Sequence, residues 1–486
     1  MRRRDVQHQP GGPGPSRAAL WLPTLLVLLL LGGAVASWHY DAGPRWLGWG
    51  PDPSREPAAV EAPAGLDLSP VPALAGSTSA RSAKEAGQPD VDAVRAVVRA
   101  GVRDKDLGKR VMVAVADLAT GDPLVAVGPD RATPASTTKL LTAAAALETL
   151  GPGHTFTTSV VRSGPRRITL VGGGDPYLTY DAESGAGAYP VRTDLATLAA
   201  RTADALRQAG VRKVRLDHDA SLFSGPGASA GWEPDYVPDG VVSPIGALWV
   251  DRGTDPQGWG RVADPATHAA QAFAKALAAE GIVVKGAPRA RTAPGSATPL
   301  AQVRSAPVDQ IVEHVLDVSD NEAAEVLAHH VGLAVEGEGS FEAGASAVVD
   351  TLDGLGVPTD GLELHDGSGL SRQNLVPATT LLHLLSVSAR AGHPELRAVL
   401  TGMPVSGFTG SLSQRFADGP DEGLGTVRAK TGTLTGVHGL AGTVTDRNGT
   451  TFAFVALADR VAPDKSLEAR TAIDRLAGRL AACDCS

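Results

Sequence analysis

A serine and a lysine stand three positions apart in the segment Ser136-Thr137-Thr138-Lys139. Residues i and i+3 lie on one face of a helix, so the Lys139 amine can reach the Ser136 hydroxyl. A serine hydroxyl becomes a strong nucleophile only when a base removes its proton. Lys139 can be that base only where burial or neighbouring cations lower the pKa of its amine. The pair is therefore a candidate serine nucleophile with its base, but by itself it is weak evidence, and a capped helix whose lysine is solvated is the simpler interpretation.

Two more polar motifs follow, and each has an ordinary structural interpretation of its own. Ser319-Asp320-Asn321 precedes a helical stretch from Glu322 to Val331, where Ser319 or Asp320 would be the N-cap. Lys430-Thr431-Gly432-Thr433 lies in a strand-like run from Gly425 to Leu434, which could be an exposed edge strand. Chance produces the three motifs in this order far less often than any one of them. They match the Ser-x-x-Lys, Ser-x-Asn and Lys-Thr-Gly set of penicillin-binding proteins and serine β-lactamases.

The segments around these motifs predict the elements that position them. Thr133 is the expected N-cap, and Pro134 the first helical residue, of a helix through the apolar stretch Leu140 to Leu150. Two hairpins are predicted, with turns at Gly121 and at Asn448-Gly449. The predicted strands and outer helices are Val111 to Leu118, Leu124 to Val127, Leu440 to Thr445, Thr451 to Leu457, Val91 to Val102 and Ser466 to Leu480. Helix and antiparallel strands at both ends predict one α/β domain that is split in sequence.

A long segment separates the two halves and has periodic structure of its own. It contains the predicted helices and strands Leu195 to Gly210, Lys213 to Leu216, Ala263 to Gly281 and Ile282 to Val284. These elements can bury a small separate core. We therefore predict a domain formed by residues 91–158 and 306–482, an inserted accessory domain at 159–305 and a short tail at 483–486.

The N-terminal region predicts export. Residues 1–38 combine a basic start with one apolar run from Ala18 to Ala36, which matches either a signal peptide or a single membrane anchor. Ala34-Val35-Ala36 resembles a cleavage site, whereas the length of the run and the long basic start favour an uncleaved anchor. Residues 39–90 are rich in Pro, Gly, Ala and Ser and are expected to form a disordered tether. Both interpretations place the body outside the cytoplasm, in the cell envelope.

Composition excludes several classes of function. Hydrophobic residues make up 43% and charged residues 20%, which excludes global disorder and a polytopic membrane protein. The formal net charge is −9, and no basic stripe for nucleic acid is found in the body. The two cysteines, Cys483 and Cys485, cannot organise the fold or form a zinc site by themselves. His329 and His330 are adjacent on a predicted helix, where their side chains diverge by about 100°, so they do not form a shared metal site.

The chain resembles the penicillin-interacting serine D,D-peptidases, and specifically the class C low-molecular-mass carboxypeptidases of the penicillin-binding protein 4 type. The three motifs carry the resemblance, and two more segments are similar to those of the family: Gly172-Gly173-Gly174-Asp175-Pro176 and Asp366-Gly367-Ser368-Gly369-Leu370-Ser371-Arg372. As plain sequence, both segments are loops in which glycine permits tight turns. The resemblance implies an α/β fold with an antiparallel sheet flanked by helices and an inserted domain. It implies no metal or other cofactor.

The resemblance also implies a mechanism and the residues for it. Ser136 would attack the carbonyl of the D-Ala-D-Ala bond that ends a peptidoglycan stem peptide, with Lys139 as general base and Ser319 as proton relay. Asn321 would bind the substrate amide and the Lys139 side chain. Lys430 would help to keep Lys139 neutral and attract the terminal carboxylate, which would be bound within Thr431-Gly432-Thr433. Penicillins would inhibit by acylating the same serine, and the oxyanion hole would be the backbone N–H groups of Ser136 and Thr433.

Two other functions stay open from the sequence. A serine β-lactamase of class A uses a Glu-x-x-Leu-Asn element to position water, but Asn321, Asn374 and Asn448 are the only asparagines and none follows a leucine. A non-catalytic module that binds wall peptide or penicillin would not need a nucleophile paired with a base. If the protein is a D,D-peptidase, the sequence also leaves open whether it trims stem peptides, cuts D,D cross-links, or does both.

Overall fold

The computed structural model describes residues 88–256 and 260–486, which form a mixture of helices and strands. The helices are α1 (Val91–Gly101), α2 (Thr138–Leu150), α3 (Leu195–Gln208), α4 (Pro265–Ala279), α5 (Val308–Val318), α6 (Asn321–Val335), α7 (Phe341–Gly354), α8 (Ala378–Ala389), α9 (Arg397–Thr401) and α10 (Ser466–Ala481). The strands are β1 (Val111–Asp117), β2 (Pro123–Val127), β3 (Arg131–Ala132), β4 (Thr157–Gly164), β5 (Arg167–Val171), β6 (Lys213–Asp219), β7 (Val283–Val284), β8 (Arg289–Ala290), β9 (Thr298–Arg304), β10 (Val376–Pro377), β11 (Val427–Leu434), β12 (Val437–Thr445) and β13 (Thr451–Ala458). The two predicted hairpins are both present, and so are the two outer helices.

A five-stranded antiparallel sheet unites the two ends of the described chain. Its order is β11-β12-β13-β1-β2. Strand β1, from the N-terminal half, pairs with β13, from the C-terminal half, and Val115 lies opposite Phe454. The predicted fold class, an antiparallel sheet flanked by helices with an inserted domain, is confirmed.

Alternation along β1 sends side chains into two separate cores. Met112 and Ala114 face the layer of α2, α5, α6, α7 and α8, while Val113 and Val115 face α1 and α10 on the opposite side. Period-two alternation of this kind is what a strand buried on both faces requires. The layer that holds α2 relies on alanine, and the run from Ala143 to Ala146 is buried throughout. Small side chains let this helix lie close to its neighbours in a chain that has few aromatic residues.

The inserted segment forms a sheet and a core of its own. Its strand order is β7-β6-β5-β4-β9, and β8 also pairs with β6. Strand β4 is antiparallel to β5 and β9, whereas β5 and β6 are parallel and are joined through α3. Leu170, Leu198 and Phe273 lie in the core between this sheet and helices α3 and α4. The direction of pairing could not be predicted, because a short apolar run has the same pattern in either orientation.

The last four residues pack against the body, which corrects the prediction of a tail. Cys483 and Cys485 form a disulfide, and Cys485 is buried beside α1 and α10. The backbone N–H of Asp90 donates to the carbonyl of Cys485 at 2.7 Å. The Asn448 side-chain amide donates to the carbonyl of Ser486 at 2.8 Å. The bond between Asp90 and Cys485 joins the two ends of the described chain, so sequence spacing gave no sign of it.

The N-terminal predictions fall on residues that lie almost wholly outside the described ranges. The apolar run from Ala18 to Ala36 is not described, and only residues 88–90 of the predicted tether are. Among the helices that are described, none has the length and apolar character needed to cross a membrane.

A chain that begins at Gln88 is expected to fold like the full chain. Asp90 is the N-cap of α1: its carboxylate accepts from the N–H groups of Asp92 and Ala93, both at 3.0 Å. A chain that begins at Ala93 loses this cap and the bond to Cys485, which we expect to lower the free energy of unfolding by about 1 kcal/mol. Thermal melting followed by circular dichroism compares the three chains. Equal melting of the two shortened chains would contradict the role of Asp90.

Candidate active site

Ser136 lies in a short 3₁₀ turn, Ala135–Thr137, that leads into α2. The prediction that Thr133 caps this helix is wrong, because α2 begins at Thr138 and the turn intervenes. Ala135 has a φ of 46°, in the left-handed region that a residue with a Cβ rarely adopts. The hydroxyls of Thr137 and Thr138 donate back to the carbonyls of Pro134 and Ala135, both at 2.8 Å. The strained turn is therefore closed by its own side chains and leaves Ser136 half-buried at the surface of the site.

Lys139 is completely buried directly behind Ser136. Its Nζ lies 3.1 Å from Ser136 Oγ and donates to Asn321 Oδ1 at 2.8 Å and to the carbonyl of Ser368 at 2.7 Å. Burial lowers the pKa of Lys139 to about 8, although the nearby carboxylates of Glu325 and Asp366 act in the opposite direction. A substantial fraction of the amine is thus neutral near pH 8 and able to accept a proton.

Ser319 and Asn321 lie on either side of the start of α6. Ser319 ends α5 in the left-handed conformation, with a φ of 63°. Asp320 is the N-cap of α6 and accepts from the N–H of Ala323 at 3.0 Å, as the sequence predicted for this motif. Asn321 is the first residue of the helix, which points its amide oxygen at Lys139.

Lys430 approaches the same site from strand β11. Its Nζ donates to Ser319 Oγ at 2.8 Å and to the carbonyl of Thr431 at 3.1 Å. Burial, and then the charge of Lys139, hold the pKa of Lys430 well below its ordinary value. Lys430 was expected to be a cause of the lowered pKa of Lys139, but burial is the main cause there. The charge of Lys139 nonetheless disfavours the charged form of Lys430.

The rest of the Lys-Thr-Gly-Thr motif lies along β11, the edge strand of the sheet. Thr431 Oγ1 is 3.0 Å from Ser411 Oγ, in the short 3₁₀ turn Gly410–Leu412, which the sequence did not single out. Gly432 lies against the Ala135–Thr137 turn that carries Ser136, where a Cβ would come within 2.7 Å of the Pro134 carbonyl oxygen. Thr433 is exposed. The structure thus brings every predicted site residue to the region around Ser136 and β11.

The segment from Asp366 to Arg372 is part of the site, which its interpretation as a simple turn did not include. The Ser368 carbonyl accepts from Lys139, and the two oxygens of Asp366 organise the turn by accepting from the N–H groups of Gly369 and Ser371 at 2.9 and 2.6 Å. Gly369 has a φ of 86°, and a Cβ there would meet the Ala135 carbonyl oxygen at 1.9 Å. Its glycines were visible in the sequence, but a backbone acceptor has no sequence signal.

Two arginines of the inserted domain hold the residues that flank Asn321. Arg252 Nη1 lies 2.9 Å from Asp320 Oδ2, and Arg261 Nη2 lies 2.6 Å from Glu322 Oε1. Arg252 is in a left-handed stretch, with φ values of 50°, 55° and 65° for Asp251, Arg252 and Gly253. The acidic partners are almost fully buried, so each ion pair neutralises a charge that would otherwise be costly.

The histidine pair serves packing. His329 Nδ1 lies 2.8 Å from the carbonyl of Glu325, while His330 Nε2 lies 3.1 Å from the carbonyl of Gly174. The His330 ring stacks on Phe156 with ring centres 3.8 Å apart. Burial lowers the pKa of His329 to about 4 and that of His330 to about 3, so both rings are neutral near pH 7. The Gly172–Pro176 loop is held against α6 by this contact and lies outside the hydrogen-bond network of Lys139.

Comparison of the sequence with known proteins finds one family model and several relatives that match most of the chain. The chain matches the family described as D-Ala-D-Ala carboxypeptidase 3 (S13) over residues 94–258 and 254–480. A carboxypeptidase of Mycobacterium tuberculosis is 35% identical over 416 residues, covering 83% of this chain and 87% of that protein. A D-alanyl-D-alanine carboxypeptidase of an Actinomadura species is 31% identical over 462 residues, covering 77% of this chain and 80% of that protein.

A solved structure shares the fold. The crystal structure of penicillin binding protein 4 from Haemophilus influenzae matches with a TM-score of 0.65 at 22% identity, over 79% of this chain and 97% of that one. The motifs, the split sheet and the family match agree, and the chain belongs to the D-Ala-D-Ala carboxypeptidase 3 (S13) family of serine hydrolases.

Proposed function

We propose that this D-alanyl-D-alanine carboxypeptidase of the penicillin-binding protein 4 type acts through an acyl-enzyme on Ser136, with Lys139 as its base. The observation that carries the assignment is the buried Lys139 amine, 3.1 Å from Ser136 Oγ. Its pKa of about 8 makes it a usable base near neutral pH, which a solvated lysine is not.

The first step forms the bond between Ser136 and the substrate. Neutral Lys139 takes the hydroxyl proton while Ser136 Oγ attacks the carbonyl carbon of the D-Ala-D-Ala bond. The carbonyl oxygen becomes an oxyanion, for which we assign the backbone N–H groups of Ser136 and Thr433. Asn321 holds the amine of Lys139 and is placed to bind the substrate amide.

The second step expels the terminal D-Ala. Its nitrogen must gain a proton as the C–N bond breaks, and this is the proton that Lys139 took from Ser136. We assign Ser319 as the relay that passes it on, with its hydroxyl held by Lys430, which donates to Ser319 Oγ at 2.8 Å. Thr431 and Thr433 are assigned to the substrate carboxylate, whose negative charge would raise the pKa of Lys430 and keep that amine charged. Water then hydrolyses the acyl-enzyme and restores Ser136.

Peptidoglycan stem peptides that end in D-Ala-D-Ala are the proposed substrate, and β-lactams the proposed covalent inhibitors. A D,D cross-link presents the same acyl group with a different leaving amine, so we extend the proposal to its cleavage. These substrates lie outside the cytoplasm, and the apolar run from Ala18 to Ala36 supports an exported protein, anchored or cleaved. Turnover of a D-Ala-D-Ala peptide beside the β-lactamase substrate nitrocefin tests the activity. Rapid turnover of nitrocefin alone would favour a β-lactamase.

Ser136→Ala is expected to abolish covalent labelling by a fluorescent penicillin and to leave the fold intact. The hydroxyl is half-buried at the surface of the site and contributes little to stability. Labelling is read on a denaturing gel, and circular dichroism serves as the folding control. Persistent labelling of the variant would remove Ser136 from the mechanism.

Lys139→Arg is expected to lose acylation almost completely, because a guanidinium has a pKa above about 12 and cannot act as a base. Lys430→Arg keeps a cation and changes only geometry, so we expect a loss of about one to three orders of magnitude. The measurement is the second-order acylation rate of both folded variants with one penicillin. Near wild-type acylation by Lys139→Arg would overturn the assignment of the base, and an equal, complete loss would make Lys430 a proton carrier.

Gly369→Ala is expected to displace the nucleophile turn. The new Cβ would collide with the Ala135 carbonyl oxygen, so acylation should fall by about a hundredfold. Gly356→Ala is the matched control, since its φ of 73° carries the same backbone strain but no atom lies within 4 Å of the new Cβ. Melting temperatures of both variants show whether a lower acylation rate comes from unfolding or from displacement of Ser136 in a folded protein. Equal acylation rates in the two variants would show that the close approach of Gly369 is not needed.

A further inference from the structure

Glu325 is a fully buried carboxyl group on the helix that carries Asn321. The two residues are four positions apart on α6 and therefore share one face of the helix. Glu325 Oε2 accepts from the N–H of Gly367 at 2.9 Å, and Oε1 accepts from the N–H of Ser368 at 2.8 Å. Both oxygens of the carboxyl group are thus directed at one short piece of backbone.

That piece of backbone is the one that holds Lys139. The carbonyl of Ser368 accepts from Lys139 Nζ at 2.7 Å, the shortest of the three distances to this amine. Gly367 is packed so closely on α6 that a Cβ would come within 2.5 Å of Ala328 Cβ. Helix α6 therefore contacts Lys139 by two routes. Asn321 accepts a hydrogen bond from its amine directly, and Glu325 holds the Ser368 peptide, whose carbonyl accepts another.

Glu325 differs from the other acidic residues around Lys139 in how its charge is compensated. The carboxylates of Glu325, Asp366, Asp320 and Glu322 all favour the charged form of this amine, and a charged Lys139 in turn lowers the pKa of Lys430 on β11. Asp320 and Glu322 are paired with arginines, whereas the ion pairs of the described residues include none for Glu325. Asp366 is held by four donors: the N–H groups of Gly369 and Ser371, Trp232 Nε1 and Asn374 Nδ2.

The two groups on either side of the Ser368 peptide titrate in the same range. Burial, and then the charge of Asp366, raise the pKa of Glu325 to about 8. Burial lowers the pKa of Lys139 to about 8. An ionised Glu325 favours the charged form of Lys139, and a protonated Glu325 favours the neutral base.

We propose that Glu325 is a positioning residue for acylation: it holds the Ser368 carbonyl against the Lys139 amine and governs, by its charge, when that amine becomes a base. The inference rests on the assignment of Lys139 in the proposed function. Glu325 itself touches neither Ser136 nor Asn321 in the hydrogen-bond network of the site, so its effect passes through Ser368.

The test is the pH dependence of the acylation rate in the full chain with benzylpenicillin. In the wild type the rate should rise about tenfold per pH unit below the pKa of Lys139 and level off above it. Glu325→Gln removes an anion that favours charged Lys139, so the midpoint of this rise should move down by about 0.5 to 1 pH unit. The plateau should also fall, because the glutamine nitrogen cannot accept from one of the two backbone N–H groups.

Two further variants separate charge from position. Glu325→Asp keeps the charge on a shorter side chain, so we expect a lower plateau with the wild-type midpoint. Glu322→Gln removes a buried charge from the same helix without touching the Ser368 peptide, and its charge acts more weakly on Lys139, so the midpoint should shift less. Melting temperatures establish that each variant is folded. If Glu325→Gln does not fold, the reduced plateau of Glu325→Asp carries the test of position.

The outcomes also distinguish this inference from the proposed function. An unchanged midpoint in Glu325→Gln, or the same shift in Glu322→Gln, would overturn the role of its charge. A wild-type plateau in Glu325→Asp would overturn the role in position. In each of those cases mass spectrometry should still find the penicilloyl group on Ser136. A penicilloyl group elsewhere would instead contradict the assignment of Ser136.

Discussion

The burial of the Lys139 amine is the constraint on which the rest of the site depends. An ammonium removed from water is unfavourable unless hydrogen bonds replace its solvation. Lys139 has three such partners, and they come from three places: the Ala135–Thr137 turn, the start of α6 and the Ser368 carbonyl. The environment of the proposed base therefore exists only when α2, α6 and the 366–372 segment are packed together. The same burial that makes the amine costly to place also gives it a pKa suited to proton transfer.

The two serine hydroxyls of the proposed mechanism lie at or beside points of backbone strain. Ala135, immediately before Ser136, and Ser319 have positive φ values, which cost about 1 to 2 kcal/mol each for residues with a Cβ. Such strain persists where the surroundings determine the conformation more strongly than the local preference does. The close contacts of Gly369 and Gly432 impose the conformation of Ala135. The helix cap at Asp320 and the hydrogen bond from Lys430 impose that of Ser319. The hydroxyls are thus held in place before any substrate arrives, which is how preorganised sites lower activation barriers.

The inserted domain contributes to the site as well as to the surface. Arg252 and Arg261 pair with the residues on either side of Asn321, so the position of this amide depends on two cations from another part of the chain. Trp232 extends the connection, because its Nε1 donates to Asp366, which shapes the Ser368 turn. The inserted domain therefore contacts both segments that hold Lys139, the start of α6 and the 366–372 segment.

The sequence alone determined the chemistry and most of the elements. Ser136, Lys139, Ser319, Asn321 and Lys430 were predicted from residue type, spacing and family resemblance. The hairpin at Asn448-Gly449 was predicted from its local turn preference, since each of these signals lies within a few consecutive residues. Only the tertiary structure decided what surrounds them. The acceptor at Ser368 is a backbone carbonyl, which every residue has, and the partners of Glu325 and Arg252 are far from them in the chain.

The helix cap predicted at Thr133 was wrong for a related reason: packing against Gly369 and Gly432 imposes a 3₁₀ turn that local preference does not favour. Local patterns report local preferences, whereas the pKa of Lys139 is a property of burial, and burial exists only in the folded chain.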